Sequence, residues 1–292
     1  WGSGGSGGGS GNTAFGGAGS ASANFIEGDT SARVTGTLDA GGSVSLRAVD
    51  SRGIDADAGS GALAVSTGGG GGSQSAIAAG AALAINEIRG AITAEQIGGS
   101  LTTGGNLLIE ARSAAAIDSF ALGISGSVAS GSQGAISLAG AGSGNGNLTA
   151  LSVRAEAKDT VLRATGSITL RATDATTITA LAGAAGITVT AASGGTGVGV
   201  GLGIAVSKNE ITNRAEALLT DSTVLGTGTG GLSVIASSTS AISATAFGVA
   251  VGVGVNGGQT SVNVNGAVAV TLNTVSNTTR AEITDPTPAS PD

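Results

Sequence analysis

Two independent motifs recur along this chain with one period, and that period constrains the fold more than any other feature. The first motif reads Gly-Gly-x-h-x-h-x-Ala, with h apolar. It occurs as GGSVSLRA, GGNLLIEA and TGSITLRA, and more loosely as GGLSVIA. Its closing alanines are Ala48, Ala111, Ala172 and Ala236, at spacings of 63, 61 and 64. The second motif is an asparagine, an apolar residue two positions on and an alanine eight positions on. The asparagines are Asn24, Asn86, Asn147, Asn209 and Asn273, and the alanines are Ala32, Ala94, Ala155, Ala217 and Ala281. The plus-two residues are Ile26, Ile88, Thr149, Ile211 and Val275, so the third copy departs from the pattern. Units repeating at such a period stack on their neighbours to bury a core that none could bury alone.

Turn signals keep the same phase. Glycine clusters at 68–72, 131–134, 194–197 and 257–258 fall midway between the glycine pairs of the first motif. Between turns the pattern alternates with period two, which marks strands. Val198, Val200, Leu202, Ile204 and Val206 share one face, against Gly197, Gly199, Gly201, Gly203 and Ala205 on the other. The last unit repeats this with Val249, Val251, Val253 and Val255 against Gly248, Ala250, Gly252 and Gly254. A helix would lose about 1 kcal/mol at each glycine. A strand instead gains a bulky face and a flat one, and the flat one admits another backbone closely. No charged residue lies between Ser222 and Thr279, so both faces of these strands are expected to be covered, by another layer of the fold or by neighbouring molecules.

The expected architecture is an all-β, repetitive parallel β-solenoid (β-helix) with a repeat of about 63 residues. A Gly-rich N-terminal segment occupies 1–18. One partial and four full repeats follow at 19–40, 41–103, 104–164, 165–229 and 230–285, and a Pro-containing tail at 286–292. Three coils of about 20 residues in each repeat, or one large flattened coil with two long arms, would both satisfy the period. Two strong turn points per unit favour the flattened coil, although bends at 49–53 and 86–90 could add corners. With one repeat per coil, the five asparagines would stack about 4.8 Å apart and could form a hydrogen-bonded ladder.

Composition narrows the function. Glycine is 55 of 292 residues and 11% are charged, against about 7% and about 25% in ordinary globular chains. No proline precedes Pro286, which excludes collagen. The net charge of −7 without a basic patch argues against nucleic acid. No run of about 20 bulky apolar residues exists, so no transmembrane helix is expected. Four Phe and one Trp are too few for the girdles of a membrane barrel.

Chemistry-bearing groups are sparse. The chain has no His or Cys, and its only lysines are Lys158 and Lys208. Neither a base nor a thiol is therefore at hand to activate Ser or Thr. No catalytic residue, metal site or cofactor is expected, and the chain reads as a non-enzyme. Asp50, Asp55 and Asp57 form the densest acidic group; they read as solvated carboxylates rather than Ca²⁺ ligands. Phe25, Phe120 and Phe247 read as core residues. RAE tripeptides starting at Arg154, Arg214 and Arg280 read as an ion-pair row at one place in three units.

The blocks KNEITNRAEALLTDSTV and VAVTLNTVSNTTRAEITD each follow an Ala/Gly/Val alternating run. They resemble repeats of giant bacterial β-strand-repeat surface proteins and leukotoxin-like filamentous adhesins. The third copy departs at GSGNGNLTALSVRAEA. The resemblance implies a β-helical protein that is secreted or held at the cell surface, and it carries over no catalytic residue. The expected function is an extracellular structural protein, a subunit or segment of a bacterial surface fibre that self-associates. The alternative is an adhesin binding module for a ligand on a host or neighbouring cell. Its recognition surface would be sought where the repeat is irregular, at 130–147.

Overall fold

The computed structural model describes residues 2–4, 11–227, 230–257 and 260–284. All regular structure among them is β-strand, and every strand pairing is parallel. No helix among the described residues is long and apolar enough to cross a membrane.

The chain winds as a β-solenoid with one sequence repeat in each coil. The first coil holds β1 (Gly2–Gly4), β2 (Asn12–Glu27), β3 (Thr30–Thr35), β4 (Leu38–Ala40) and β5 (Val44–Asp50). The second holds β6 (Gly53–Thr67), β7 (Ser73–Ile97), β8 (Ser100–Thr103) and β9 (Leu107–Ser113). The third holds β10 (Ala116–Gly131), β11 (Gly134–Lys158), β12 (Val161–Ala164) and β13 (Ile168–Asp174). The fourth holds β14 (Thr177–Ala192), β15 (Thr196–Ile211), β16 (Arg214–Thr220), β17 (Thr223–Thr227) and β18 (Leu232–Ser238). The last comprises β19 (Ala241–Asn256), β20 (Ser261–Val275) and β21 (Thr278–Thr284). Residues 12–18 of the Gly-rich segment belong to β2, and the 286–292 tail lies outside the described residues.

Stacked coils form four sheets. Two are long arms: a leading sheet ordered β1-β6-β10-β14-β19 and a trailing sheet ordered β2-β7-β11-β15-β20. The trailing sheet continues through β3, β16 and β21. The two short sheets are β4-β8-β12-β17 and β5-β9-β13-β18. The glycine clusters supply the turn between the arms, as at 68–72 between β6 and β7.

Each coil thus has a thick base and a thin blade. The base is walled by the short sheets and the end of the trailing sheet. It holds the bulky core, including Ile88, Ile92, Leu101, Ile109, Ile117 and Leu170. The closing alanines of the first motif stack there in register, Ala48 on Ala111 on Ala172 on Ala236. The plus-eight alanines form a second column, from Ala32 to Ala281.

The blade is two arm sheets pressed together through small side chains. Its interior holds small alanine clusters such as Ala62, Ala64, Ala76, Ala78 and Ala129. At several inward glycines a Cβ would overlap a backbone carbonyl of the opposing sheet, among them Gly80 at Ile124, Gly123 at Gly142, Gly186 at Leu202 and Gly203 at Val249. The flat faces of the alternating strands are therefore the inner ones, and close backbone approach is why they are flat.

The bulky faces point outward on both sides, and none of the described residues covers them. This corrects the expectation for the aromatic residues. Phe25 and Phe247 are 61% and 40% exposed, and Phe120 lies half-buried on the outer face. A gap sized for alanine and glycine has no room for a ring, so the rings project outward. The Phe247 ring covers Gly183 on the adjacent strand, which hides that backbone from water.

Candidate functional site

The asparagines mark the junction of blade and base on the trailing sheet. Asn86 follows Ala84, which lines the blade, and precedes Ile88, which lies in the base core. The five asparagines stand in register. Each side-chain amide donates to the carbonyl oxygen of the next. Asn24 Nδ2 to Asn86 Oδ1 is 2.9 Å, Asn86 to Asn147 is 2.8 Å, Asn147 to Asn209 is 2.7 Å and Asn209 to Asn273 is 2.9 Å. The three inner members are almost fully buried. A buried amide needs partners, and a stacked row of identical amides supplies them with one geometry in every coil. The bonds all run in one direction, so their dipoles add along the solenoid axis and polarise one another.

A second polar cluster occupies a corner of the base. The carboxylate of Asp174 is fully buried. It accepts from Thr176 at 2.6 Å, Asn213 at 3.1 Å, Ser238 at 3.1 Å and Ser240 at 2.6 Å. Asn277 donates in turn to Ser238 and Ser240. Neutral donors thus stabilise this charge. Sequence reasoning missed the cluster, because Asp174 ends β13 and Asn213 lies between β15 and β16, and only the corner of the coil brings them together; that Asn213 recurs as Asn277 does not reveal its partner.

Near the first coils a different arrangement fills that corner. Asp50 pairs with Arg52 at 2.5 Å, and the guanidinium also donates to the carbonyls of Gly28 and Arg89. Asp55 and Asp57 project outward from β6, away from Asp50. No cluster of three or more His, Cys, Asp or Glu side chains able to hold a metal ion occurs among the described residues.

Charged residues on the base form ladders of alternating sign. The RAE tripeptides do not share one place, which corrects the row expected from sequence. Arg214 lies opposite Ser152 and Thr278, whereas Arg154, Glu216 and Arg280 form one column. Arg154 reaches Glu216 at 3.3 Å. Guanidinium groups stacked about 4.8 Å apart would repel. A shift of two residues keeps the same face outward and interleaves a carboxylate. Arg47, Glu110 and Arg171 alternate likewise, with Arg47 and Glu110 2.7 Å apart. At the last coil, hydrogen bonds from Arg280 and Thr284 hold the Glu282 carboxyl below its usual range.

The outer blade faces carry no such charges. On the trailing face Leu83, Ile136, Leu202, Ile204, Val264 and Val268 are all exposed. Its first charges towards the base are Glu87 and Lys208. The leading face shows Leu63, Ile124, Ile187, Val249 and Val251, and its acids Asp55, Asp57 and Asp118 also sit at the base end. Contiguous apolar surface of this extent marks an interaction site. The irregular segment at 130–147 does not interrupt the coil, since β11 pairs in register along its whole length with β7. Its outward side chains in mid-strand are missing, because Gly140, Gly142, Gly144 and Gly146 face outward there. Comparison of the chain with protein-family models, curated proteins and solved structures finds no match.

Proposed function

We propose that this chain is a structural, non-catalytic protein, a segment or subunit of an extracellular surface fibre that self-associates. The asparagine ladder carries this reading. It ties all five coils along one axis through buried side-chain bonds, in addition to the backbone bonds of four parallel sheets. Such a stack is stiff along its axis and extends by adding identical rungs. Each rung uses 61 to 64 residues for about 4.8 Å of rise, so the coil provides breadth and stiffness more than reach. Location at the cell exterior, in a bacterium, follows from the resemblance of the repeat blocks to those of giant surface proteins.

Electron microscopy of the purified chain tests the reading. The expected result is fibres whose diffraction shows a strand spacing of about 4.8 Å along the axis. Monodisperse single chains at high concentration would overturn it. The adhesin alternative is favoured by one observation, the bare glycine row of β11 beside the bulky outer side chains of β15. It predicts that filling that row abolishes cell binding without changing assembly.

A further inference from the structure

The trailing face of the blade is not uniform. On β11 the outward positions Gly140 and Gly142 have open space where a side chain would stand, and the groove they leave along the strand is closed at Gly144 by the Leu83 side chain. The next strand, β15, carries the tallest uninterrupted ridge of that face: Leu202, Ile204 and Val206 are 46%, 48% and 38% exposed. Groove and ridge are adjacent and in register, with Gly140 beside Leu202, Gly142 beside Ile204 and Gly144 beside Val206.

A groove next to a ridge is self-complementary. A twofold axis along the strands, midway between β11 and β15, turns one copy face down on another. It sets the ridge of each copy in the groove of its partner. This is an isologous contact, and it closes at two chains. The solenoid axes then run antiparallel, and blade tip lies over blade tip.

Area and charge favour the same face. About this axis β7, β11, β15 and β20 of the two copies overlap, and their uncharged stretch is about 12 residues of each, from Ser73 to Ala84 on β7 and up to Lys208 on β15. At about 4.8 Å between strands and about 3.3 Å per residue, this covers roughly 700 Å². Stable interfaces take about 600–1,000 Å² from each partner. The uncharged leading face, from Gly59 to Thr67 on β6, covers roughly 500 Å². It also ends on three acids that would face each other in a like pairing.

We infer that the trailing face is covered by the trailing face of a second copy of this chain, with Leu202 and Ile204 of the ridge seated in the Gly140–Gly142 groove. The inference deepens the fibre reading and rests on it only for its biological setting. Two solenoids paired in this way bury one face of each, and they make a fibre two blades thick.

Charge placed on this face tests the pairing. Gly142→Lys fills the groove from an outward position that tolerates a side chain, and Ile204→Lys breaks the ridge. Ile187→Lys places the same charge on the leading face as a control. In analytical ultracentrifugation of wild type at tens of micromolar, the smallest species is expected to have twice the 27.0 kDa chain mass. Both trailing-face variants are expected to give single chains, with dissociation raised at least tenfold, while Ile187→Lys stays paired. Circular dichroism confirms folding, and if one trailing-face variant misfolds the other decides. Single wild-type chains at 100 μM, or pairing that survives both variants, would overturn the inference. So would pairing lost only with Ile187→Lys. Where fibres form, Gly142→Lys is expected to halve their mass per length, and unchanged mass per length counts against the pairing while leaving the fibre intact. Mixed single variants Gly142→Cys and Ile204→Cys should cross-link unlike chains faster than like ones. A preference for like chains would place the twofold along the solenoid axis and contradict the ridge-in-groove contact.

Discussion

The side-chain amide of Asn86 donates to Asn147 Oδ1 at 2.8 Å, across 61 residues of chain. One turn of the solenoid separates them, so the bond converts a sequence period into a structural one. Asn147 sits mid-ladder and is almost fully buried. Replacing it with alanine removes two bonds and strands the Asn86 donor and the Asn209 acceptor. Each stranded group costs about 1–3 kcal/mol, so Asn147→Ala should lower stability by about 2–5 kcal/mol. Asn24→Ala, at the half-buried end of the ladder, should cost about 1 kcal/mol. Hydrogen exchange, read coil by coil, separates the two effects where unfolding of a repeat array is not two-state.

Thr149 makes the opposite prediction. It stands in the base between Ile88 and Ile211, fully buried, and its hydroxyl has no hydrogen-bond partner among the described residues. A buried, unpaired hydroxyl costs about 1–3 kcal/mol. Thr149→Val keeps the shape and removes the polar atom. The variant should be more stable than wild type by about 1 kcal/mol, measured as a higher denaturant midpoint with an unchanged slope.

Inner and outer glycines should respond in opposite ways. A Cβ at Gly203 would overlap the Val249 carbonyl of the facing sheet, whereas at Gly142 it meets nothing within 4 Å. Gly203→Ala should therefore destabilise by about 1–3 kcal/mol through overpacking. Gly142→Ala should be neutral or stabilise by up to about 1 kcal/mol, by restricting the unfolded chain. Thermal unfolding of the two variants side by side is the measurement.

Asp174 holds a corner of the base with its carboxylate alone. Asp174→Ala leaves Thr176, Asn213, Ser238 and Ser240 without their common acceptor. The expected loss is about 3–5 kcal/mol, comparable to breaking a buried charge network. Hydrogen exchange should speed up first at the neighbouring backbone amides of Leu151 and Asn213, which are held by Asn213 and Asn277.

Much of this molecule is legible in its sequence because the fold is periodic and so are its signals. Val198 to Val206 alternating with Gly197 to Ala205 reveals a strand with one bulky and one flat face. The asparagine spacing identifies the residues that bond to one another across coils. Alternation does not say which face lies inside. The habit of placing large side chains in a core misassigns Phe25 and Phe247, because the blade is closed by backbones approaching through glycine and alanine. Contacts made across a coil, rather than between stacked coils, stay hidden. Asp174 and Asn213 meet only because a corner of the base brings two sheets together. The shift of RAE at Arg214 becomes visible once the register shows that Arg154 faces Glu216.

One repeat makes one coil. Glu87 and Glu210 both project outward from the trailing sheet, and Leu148 lies between them in register. They are therefore two rungs apart, with backbones about 10 Å from each other. The chain contains no cysteine, so Glu87→Cys and Glu210→Cys can carry a clean pair of nitroxide labels. Continuous-wave dipolar broadening between them should be strong, as for a separation of about 10 Å. Three coils per repeat would place the labels about 30 Å apart and remove the broadening, and that result would contradict the account.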